Sequence, residues 1–193
     1  PKKIRKRPKK ITIEFLNGSP IALNKKKLAG ANILRELNKI GGKFGIGREI
    51  ITNDTIIGIK GRIVFESPGI VILMKALKSL EDALNTKIQN EFKHYVGSKW
   101  INLVYQGFYY EPLRINLEKF LEDISSKING AVVLELNAGR VDSVEITSKQ
   151  ILFDQNAIYA QSSSWDIKEA SGFIKLHGKS TDLWNQINKY DYE

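Results

Sequence analysis

The sequence contains no cysteine, and that absence excludes several kinds of site at once. A chain without cysteine has no disulfide framework, no thiolate nucleophile and no cysteine-ligated zinc. Histidine is almost as scarce, because only His94 and His177 occur in 193 residues. A histidine cluster for a metal ion is therefore excluded as well, and we expect no metal site in this chain.

Long apolar runs are also missing from the sequence. No stretch approaches the roughly 18 apolar residues that a membrane-spanning helix needs, and no signal peptide is visible. These absences favour a cytoplasmic or organelle-matrix location, with no membrane partner. The sequence starts at Pro1 rather than at methionine, which predicts a fragment or a processed product.

The net charge of +9 is concentrated at one end of the chain. Residues 1–10 hold seven basic residues and no acidic one: Lys2, Lys3, Arg5, Lys6, Arg7, Lys9 and Lys10. Removing these seven from the 30 basic residues leaves 23 against 21 acidic ones, so the rest of the chain is close to neutral. Such an arm can bind the phosphate backbone of nucleic acid or an acidic partner. Alternatively, it serves as a solvated linker between domains.

Hydrophobic periodicity predicts antiparallel strands and hairpins, together with a group of amphipathic helices. Alternating apolar residues predict strands over residues 11–15, 20–23, 131–137 and 141–148, the members of each pair joined by a short turn. Helical spacing predicts helices over residues 33–40, 71–84, 86–104, 113–128 and 181–192. Because strands and helices do not alternate regularly, the predicted fold class is α+β.

Two apolar stripes on the predicted helices receive different interpretations. Phe92, Tyr95 and Trp100 share one predicted helix face, which is typical of a core, so we assign them no function. The last predicted helix carries a second stripe at the chain end, where little core is available. Its members are Leu183, Trp184, Ile187 and Tyr190. A stripe of this kind predicts contact with another subunit, and hence a homo-oligomer formed through a C-terminal helical arm.

Residues 41–68 carry the densest group of candidate binding features. Four glycines within residues 41–47 can bring backbone close to a ligand or to a neighbouring element. Two apolar runs follow, over residues 49–52 and 55–60, and Asn53-Asp54 between them predicts a turn. Lys60, Arg62 and Glu66 precede the start of a predicted helix. Charged groups that converge there fit an anion or zwitterion site, and the alternative interpretation is a solvated strand end.

Motifs in four regions of the chain, in this order, resemble the argininosuccinate synthase family, and the second region, residues 41–69, carries two patterns. IEFLNGSP at residues 13–20 resembles the family pattern IEFxxGxP, and GGKFGIGR at 41–48 resembles GGKHGIGR. GIKGR and FESPG, at 58–62 and 65–69, resemble parts of GxKSRGxYExPG. VYQGFYYEPLR at 104–114 resembles VYxGFxxxPxR, and GFIKLHG at 172–178 resembles GFIKLxG. The resemblance spans residues 11–178 and is to the C-terminal synthetase and multimerisation half of the family enzyme.

The resemblance implies a ligase of arginine biosynthesis that joins citrulline to aspartate with ATP and Mg²⁺. In the family, an SGGxD phosphate loop lies in a separate nucleotide-binding domain, and no such loop occurs here. We therefore expect this chain alone to bind no cofactor and to be inactive. The resemblance also implies that residues 1–10 connect the two domains, which favours the linker interpretation. Residues 11–178 would then form the family domain, and residues 179–193 its C-terminal arm.

Two positions depart from the family pattern where citrulline is bound. The family's citrulline-binding Glu falls on Asn53 and its Tyr on Phe65, whereas Lys60, Arg62 and Glu66 match. Loss of a charge-assisted hydrogen bond costs about 1.5–3 kcal/mol, so we expect at least tenfold weaker citrulline binding. Three functions stay open: part of a ligase, a catalytically inactive oligomerisation module derived from this fold, and a nucleic-acid-associated component that binds through residues 1–10.

Overall fold

The computed structural model describes residues 7–153 and 166–188, which belong to two compact units divided after Leu152. The strands are β1 (Lys9–Leu16), β2 (Ser19–Leu23), β3 (Lys26–Lys27), β4 (Arg48–Asp54), β5 (Lys60–Glu66), β6 (Gly130–Asn137) and β7 (Arg140–Thr147). The helices are α1 (Gly30–Gly42), α2 (Pro68–Leu84), α3 (Lys87–Tyr105), α4 (Pro112–Ser125), α5 (Ile167–His177) and α6 (Lys179–Asn188). The predicted α+β class is confirmed.

A five-stranded antiparallel sheet, in the order β3-β2-β1-β6-β7, carries the core of the first unit. Residues on β1 and β6 alternate between the two sides of the sheet, and the buried sides meet α1 and α2. The buried residues of β1 and β6 are Ile11, Ile13, Phe15, Val132, Leu134 and Leu136. Ile33 and Leu37 of α1, with Ile72 and Leu80 of α2, fill the same core.

Close packing of α1 against α2 depends on two glycines. A Cβ at Gly41 would lie 2.6 Å from the Ile72 Cδ1 atom, and one at Gly69 would lie 2.8 Å from the Leu34 carbonyl oxygen. The amide of Gly69 donates to the Asn38 Oδ1 atom over 2.8 Å. The two helices approach so closely because neither glycine places a side chain between them.

Helices α3 and α4 form the outer part of the unit, and α3 is joined to α2 by an ion pair. The Lys93 Nζ atom lies 2.5 Å from Glu81 Oε1, with both side chains largely buried. The predicted core role of the aromatic stripe on α3 is wrong for two residues, because the side chains of Phe92 and Tyr95 are more than half exposed. Spacing identified the shared face correctly, but α4 covers little of it. Trp100 is partly buried.

The second unit is described over residues 166–188, where α5 and α6 follow one another. Asp166 caps α5, since its side chain accepts from the Lys168 amide over 3.0 Å and its own amide donates to Glu169 over 3.2 Å. The stripe residues Leu183, Trp184 and Ile187 lie on α6 and are exposed. Tyr190 lies outside the described residues. No described helix is both long enough and apolar enough to cross a bilayer.

Candidate functional site on the β4–β5 hairpin

The candidate site lies on a separate two-stranded sheet formed by β4 and β5. The predicted turn at Asn53-Asp54 is wrong, because both residues belong to β4 and pair with Gly61 and Lys60. The chain turns instead within residues 55–59, so the predicted apolar run over residues 55–60 is mostly loop. The Thr55 amide donates to the Ile59 carbonyl over 2.9 Å, and Gly58 adopts a φ of 81°. Glycine accepts this left-handed conformation without a steric penalty, which places the turn there.

The register divides the candidate residues between two faces of the hairpin. We name the first the charged face; it contains Arg48, Ile50, Thr52, Asp54, Lys60, Arg62, Val64 and Glu66. We name the second the Phe65 face; it contains Glu49, Ile51, Asn53, Gly61, Ile63 and Phe65. Lys60, Arg62 and Glu66 therefore lie on the side of the sheet opposite to Asn53 and Phe65.

The charged residues do not converge on one site, contrary to the sequence-based expectation. Glu66 pairs with Arg48 at the base of the hairpin, with 2.9 Å between oxygen and guanidinium nitrogen. Lys60 pairs with Asp54 at the tip, over 2.6 Å. Six residues of extended strand place these two ion pairs about 20 Å apart. Arg62 lies between them and makes no hydrogen bond or ion pair within residues 7–153 and 166–188.

The Phe65 face carries both positions at which the sequence departs from the family pattern. Asn53 and Phe65 are four register positions apart, or about 13 Å along the strands. The Asn53 Oδ1 atom accepts from the Asp54 amide over 2.8 Å, which leaves its NH₂ group as a donor. Phe65 is 44% exposed and offers an open aromatic surface. These two groups can stack on and donate to a ligand, but neither supplies a negative charge.

Glu49 is a candidate that sequence reasoning missed. It lies directly opposite Phe65 in the register and is exposed on the same face. A carboxylate there can bind an ammonium group through a charge-assisted hydrogen bond. The residue was overlooked because the run over residues 49–52 was considered only as a strand. With the turn placed within residues 55–59, the strand register would have put Glu49 opposite Phe65.

The glycine-rich loop between α1 and β4 does not fit the phosphates of ATP. A Cβ at Gly47 would lie 2.8 Å from the backbone of Ser67 and Pro68, so this glycine packs against the start of α2. Gly41 packs against the same helix. A phosphate cradle requires free backbone amides at a helix N-terminus, and this loop follows a helix and enters a strand. Nor do the described residues hold a group of three metal-ligating side chains.

The basic residues of the N-terminal segment divide into two groups. Lys9 and Lys10 belong to β1 and pair with Leu136 and Glu135, so the predicted arm gives way to the sheet two residues earlier than expected. Arg7 is exposed. Lys2, Lys3, Arg5 and Lys6 lie outside the described residues.

Comparison with known proteins places this chain in a family. The family model for the arginosuccinate synthase C-terminal domain matches residues 1–184. The argininosuccinate synthase of Xanthomonas campestris is 49% identical over 179 residues, which are 93% of this chain and 45% of that protein. The enzyme of Pyrococcus furiosus is 42% identical, over 92% of this chain and 43% of its own length. The chain thus spans less than half the length of these relatives. It belongs to the argininosuccinate synthase family and corresponds to the C-terminal domain.

Proposed function

We propose that the chain acts as the C-terminal half of an argininosuccinate synthase, the ligase that joins citrulline to aspartate with ATP. The observation that carries this proposal is the family match over residues 1–184, at 49% identity to one relative named as that enzyme. The reaction would take place in the cytoplasm or in an organelle matrix. Because the relatives are more than twice as long, the remaining steps would depend on a nucleotide-binding domain outside this sequence.

The Phe65 face is the surface we assign to citrulline. Asn53 and Phe65 occupy the positions at which the resemblance puts the citrulline-binding Glu and Tyr. The Asn53 amide would donate to citrulline, and the ring of Phe65 would pack along its aliphatic part. Glu49 is on the same face and offers the carboxylate that Asn53 lacks. We infer that the ammonium group of citrulline pairs with Glu49, which would compensate part of the lost charge.

ATP and Mg²⁺ would be held by a nucleotide-binding domain outside this sequence, since Gly41 and Gly47 of the glycine-rich loop pack against the start of α2. The basic segment before β1 would then link the two domains. The exposed apolar stripe of α6 would bind another copy of the protein, giving a homo-oligomer.

Reconstitution in trans tests the ligase proposal. This chain would be mixed with the separately produced nucleotide-binding domain of the Xanthomonas campestris relative, with citrulline, aspartate and Mg·ATP present. We expect AMP and pyrophosphate to be released only when both parts and both amino acids are supplied. The matched control is the same domain mixed with the C-terminal half of the Xanthomonas enzyme. Turnover in that control but not with this chain would support the catalytically inactive oligomerisation module instead.

A further inference from the structure

The outer edge of β5 is a candidate interaction surface. Among residues 7–153 and 166–188, the sheet to which it belongs contains β4 and β5 only. Ile50, Ile63 and Val64 are all more than half exposed on this hairpin, on both of its faces. A two-stranded sheet is only marginally stable in water, and a long exposed edge tends to pair with another strand. The hairpin therefore has the properties of a sheet that is completed by a further strand.

The hydrogen bonds at the two ends of the hairpin establish which backbone groups point outwards. Ser67 donates to the Gly47 carbonyl, and Thr55 donates to the Ile59 carbonyl, each over 2.9 Å. Hydrogen-bonded and non-hydrogen-bonded pairs alternate along an antiparallel ladder. The pairs that begin with Arg48–Glu66 and end with Asp54–Lys60 are therefore non-hydrogen-bonded. It follows that the N–H and C=O groups of four β5 residues point towards the free edge: Lys60, Arg62, Val64 and Glu66.

The corresponding edge of β4 is already occupied at its tip. The Asp54 amide donates to the side chain of Asn53 over 2.8 Å, and the Asp54 carbonyl accepts from the Tyr105 hydroxyl over 3.3 Å. No comparable bond covers the outward groups of β5 among the described residues. The two edges therefore differ at the tip, and β5 is the edge along which all four outward-pointing residues are open within the described residues.

We propose that β5 pairs with β5 of a second copy of this chain, antiparallel, about a two-fold axis at Ile63. The sequence KGRIVFE is complementary to itself in this register. Lys60 lies opposite Glu66 of the second copy, Gly61 opposite Phe65, and Ile63 opposite itself. All four outward-pointing residues fall in hydrogen-bonded pairs, which gives about eight backbone hydrogen bonds across the axis.

Charge complementarity selects a second copy over an unrelated strand. The joined sheet would carry a row of four charges on its charged face, in the order Asp54, Lys60, then Glu66 and Arg48 of the second copy. The signs alternate along the row, and cross-strand pairs of opposite charge stabilise a sheet. Each row occurs twice because of the two-fold axis. The pairing uses an edge and leaves the Phe65 face open, so it does not depend on the proposed citrulline site or on α6.

Cysteine cross-linking tests the proposed axis directly, because the natural chain has no cysteine. The two Ile63 residues would form a non-hydrogen-bonded pair with Cα atoms about 4.5 Å apart, a separation that a disulfide spans. In glutathione buffer, the 193-residue chain with Ile63→Cys is expected to run mostly as a disulfide-linked dimer on a non-reducing gel. The matched control is Val64→Cys, which is more exposed but lies opposite Arg62. It is expected to stay mostly monomeric, and equal cross-linking of the two variants would overturn the proposal.

A charge exchange between copies provides the second test, in the Ile63→Cys background. Lys60→Glu or Glu66→Lys alone places like charges opposite each other at both symmetric positions, so each variant should lose most of its cross-linking. An equimolar mixture of the two restores opposite charges at both contacts between the copies and should recover the disulfide dimer as a heterodimer. Circular dichroism of each variant checks that the chain is folded. Equal dimer yields from the single variants, the mixture and the parent would contradict the pairing.

Discussion

The two sheets of this protein are both antiparallel, yet they differ in what covers them. The five-stranded sheet has one face packed on α1 and α2, and its inward residues are fully buried. The β4–β5 hairpin carries comparable branched residues, but Ile50, Ile63 and Val64 remain more than half exposed. The comparison shows that apolar content alone does not make a core. We interpret the first sheet as the source of stability and the second as a surface for ligands and partners.

The largest expected effect is on the free energy of unfolding, which should fall far more for a substitution in the five-stranded sheet than for one in the hairpin. Leu134→Ala in β6 should lower the free energy of unfolding by about 2–5 kcal/mol, because it leaves a cavity in the core. Ile57→Ala in the hairpin loop removes a side chain that is 78% exposed and should change stability by no more than about 0.5 kcal/mol. Urea denaturation of both variants measures the difference. Comparable losses would show that the hairpin contributes to the core.

The second expected effect concerns the ligand surface. Asn53→Glu restores a carboxylate on the Phe65 face and should improve citrulline binding by about 1.5–3 kcal/mol, or at least tenfold in KM in the reconstituted enzyme. Thr52→Glu is the matched control, since it adds the same charge one residue away on the opposite face. An equal improvement in the two variants would show that citrulline does not use the Phe65 face.

The third expected effect is a loss of stability that differs between the base of the hairpin, at Gly47, and its tip, at Gly58. Gly47 and Gly58 both adopt positive φ, at 72° and 81°. A Cβ at Gly47 would also meet the α2 backbone, whereas the space around Gly58 is open. Alanine at Gly58 should therefore cost about 1 kcal/mol from backbone strain alone. Alanine at Gly47 should cost more, about 1–3 kcal/mol. Thermal melts of the two variants rank these costs, and equal shifts would contradict the close packing seen at Gly47.

Prediction from the sequence was accurate where a hydrophobic pattern is flanked by turn-forming residues. The strand predicted over residues 131–137 is observed as Gly130–Asn137. The prediction was accurate because the apolar residues alternate and turn-forming residues flank the strand at both ends. It failed at Asn53-Asp54, where turn-forming residues are held in β4 by pairing with Gly61 and Lys60. Periodicity also cannot reveal whether a face is covered, which is why the stripe containing Phe92 was assigned to the core.

In the candidate site as well, the sequence did not show which residues share a face of the hairpin. The motifs directed the prediction to residues 41–68, but the assumption that Lys60, Arg62 and Glu66 converge ignored the length of an extended strand. Only the register, which depends on the turn at Gly58, separates these residues from Asn53 and adds Glu49 to the site. A one-residue change in register moves a side chain to the opposite face, so a misplaced turn misassigns the whole site.

The smallest expected effect on stability lies at the N-terminal end of the five-stranded sheet, where the basic segment enters β1. Deleting residues 1–8 removes Lys2, Lys3, Arg5, Lys6 and Arg7 and leaves β1 complete, so it should change the free energy of unfolding by no more than about 0.5 kcal/mol. Retention on a heparin column should nevertheless weaken strongly, because the deletion lowers the net charge of the chain from +9 to +4.

Deleting residues 1–10 is the matched comparison, since it also removes Lys9 and Lys10 from their pairing with β6. Each backbone hydrogen bond lost there should cost about 0.5–1.5 kcal/mol, which would separate the two deletions in a urea titration. Heparin retention that survives both deletions would show a basic surface on the folded domain itself. Equal stability of the two deletions would show that the first two residues of β1 add nothing to the sheet, and the strand would then begin in effect at Ile11.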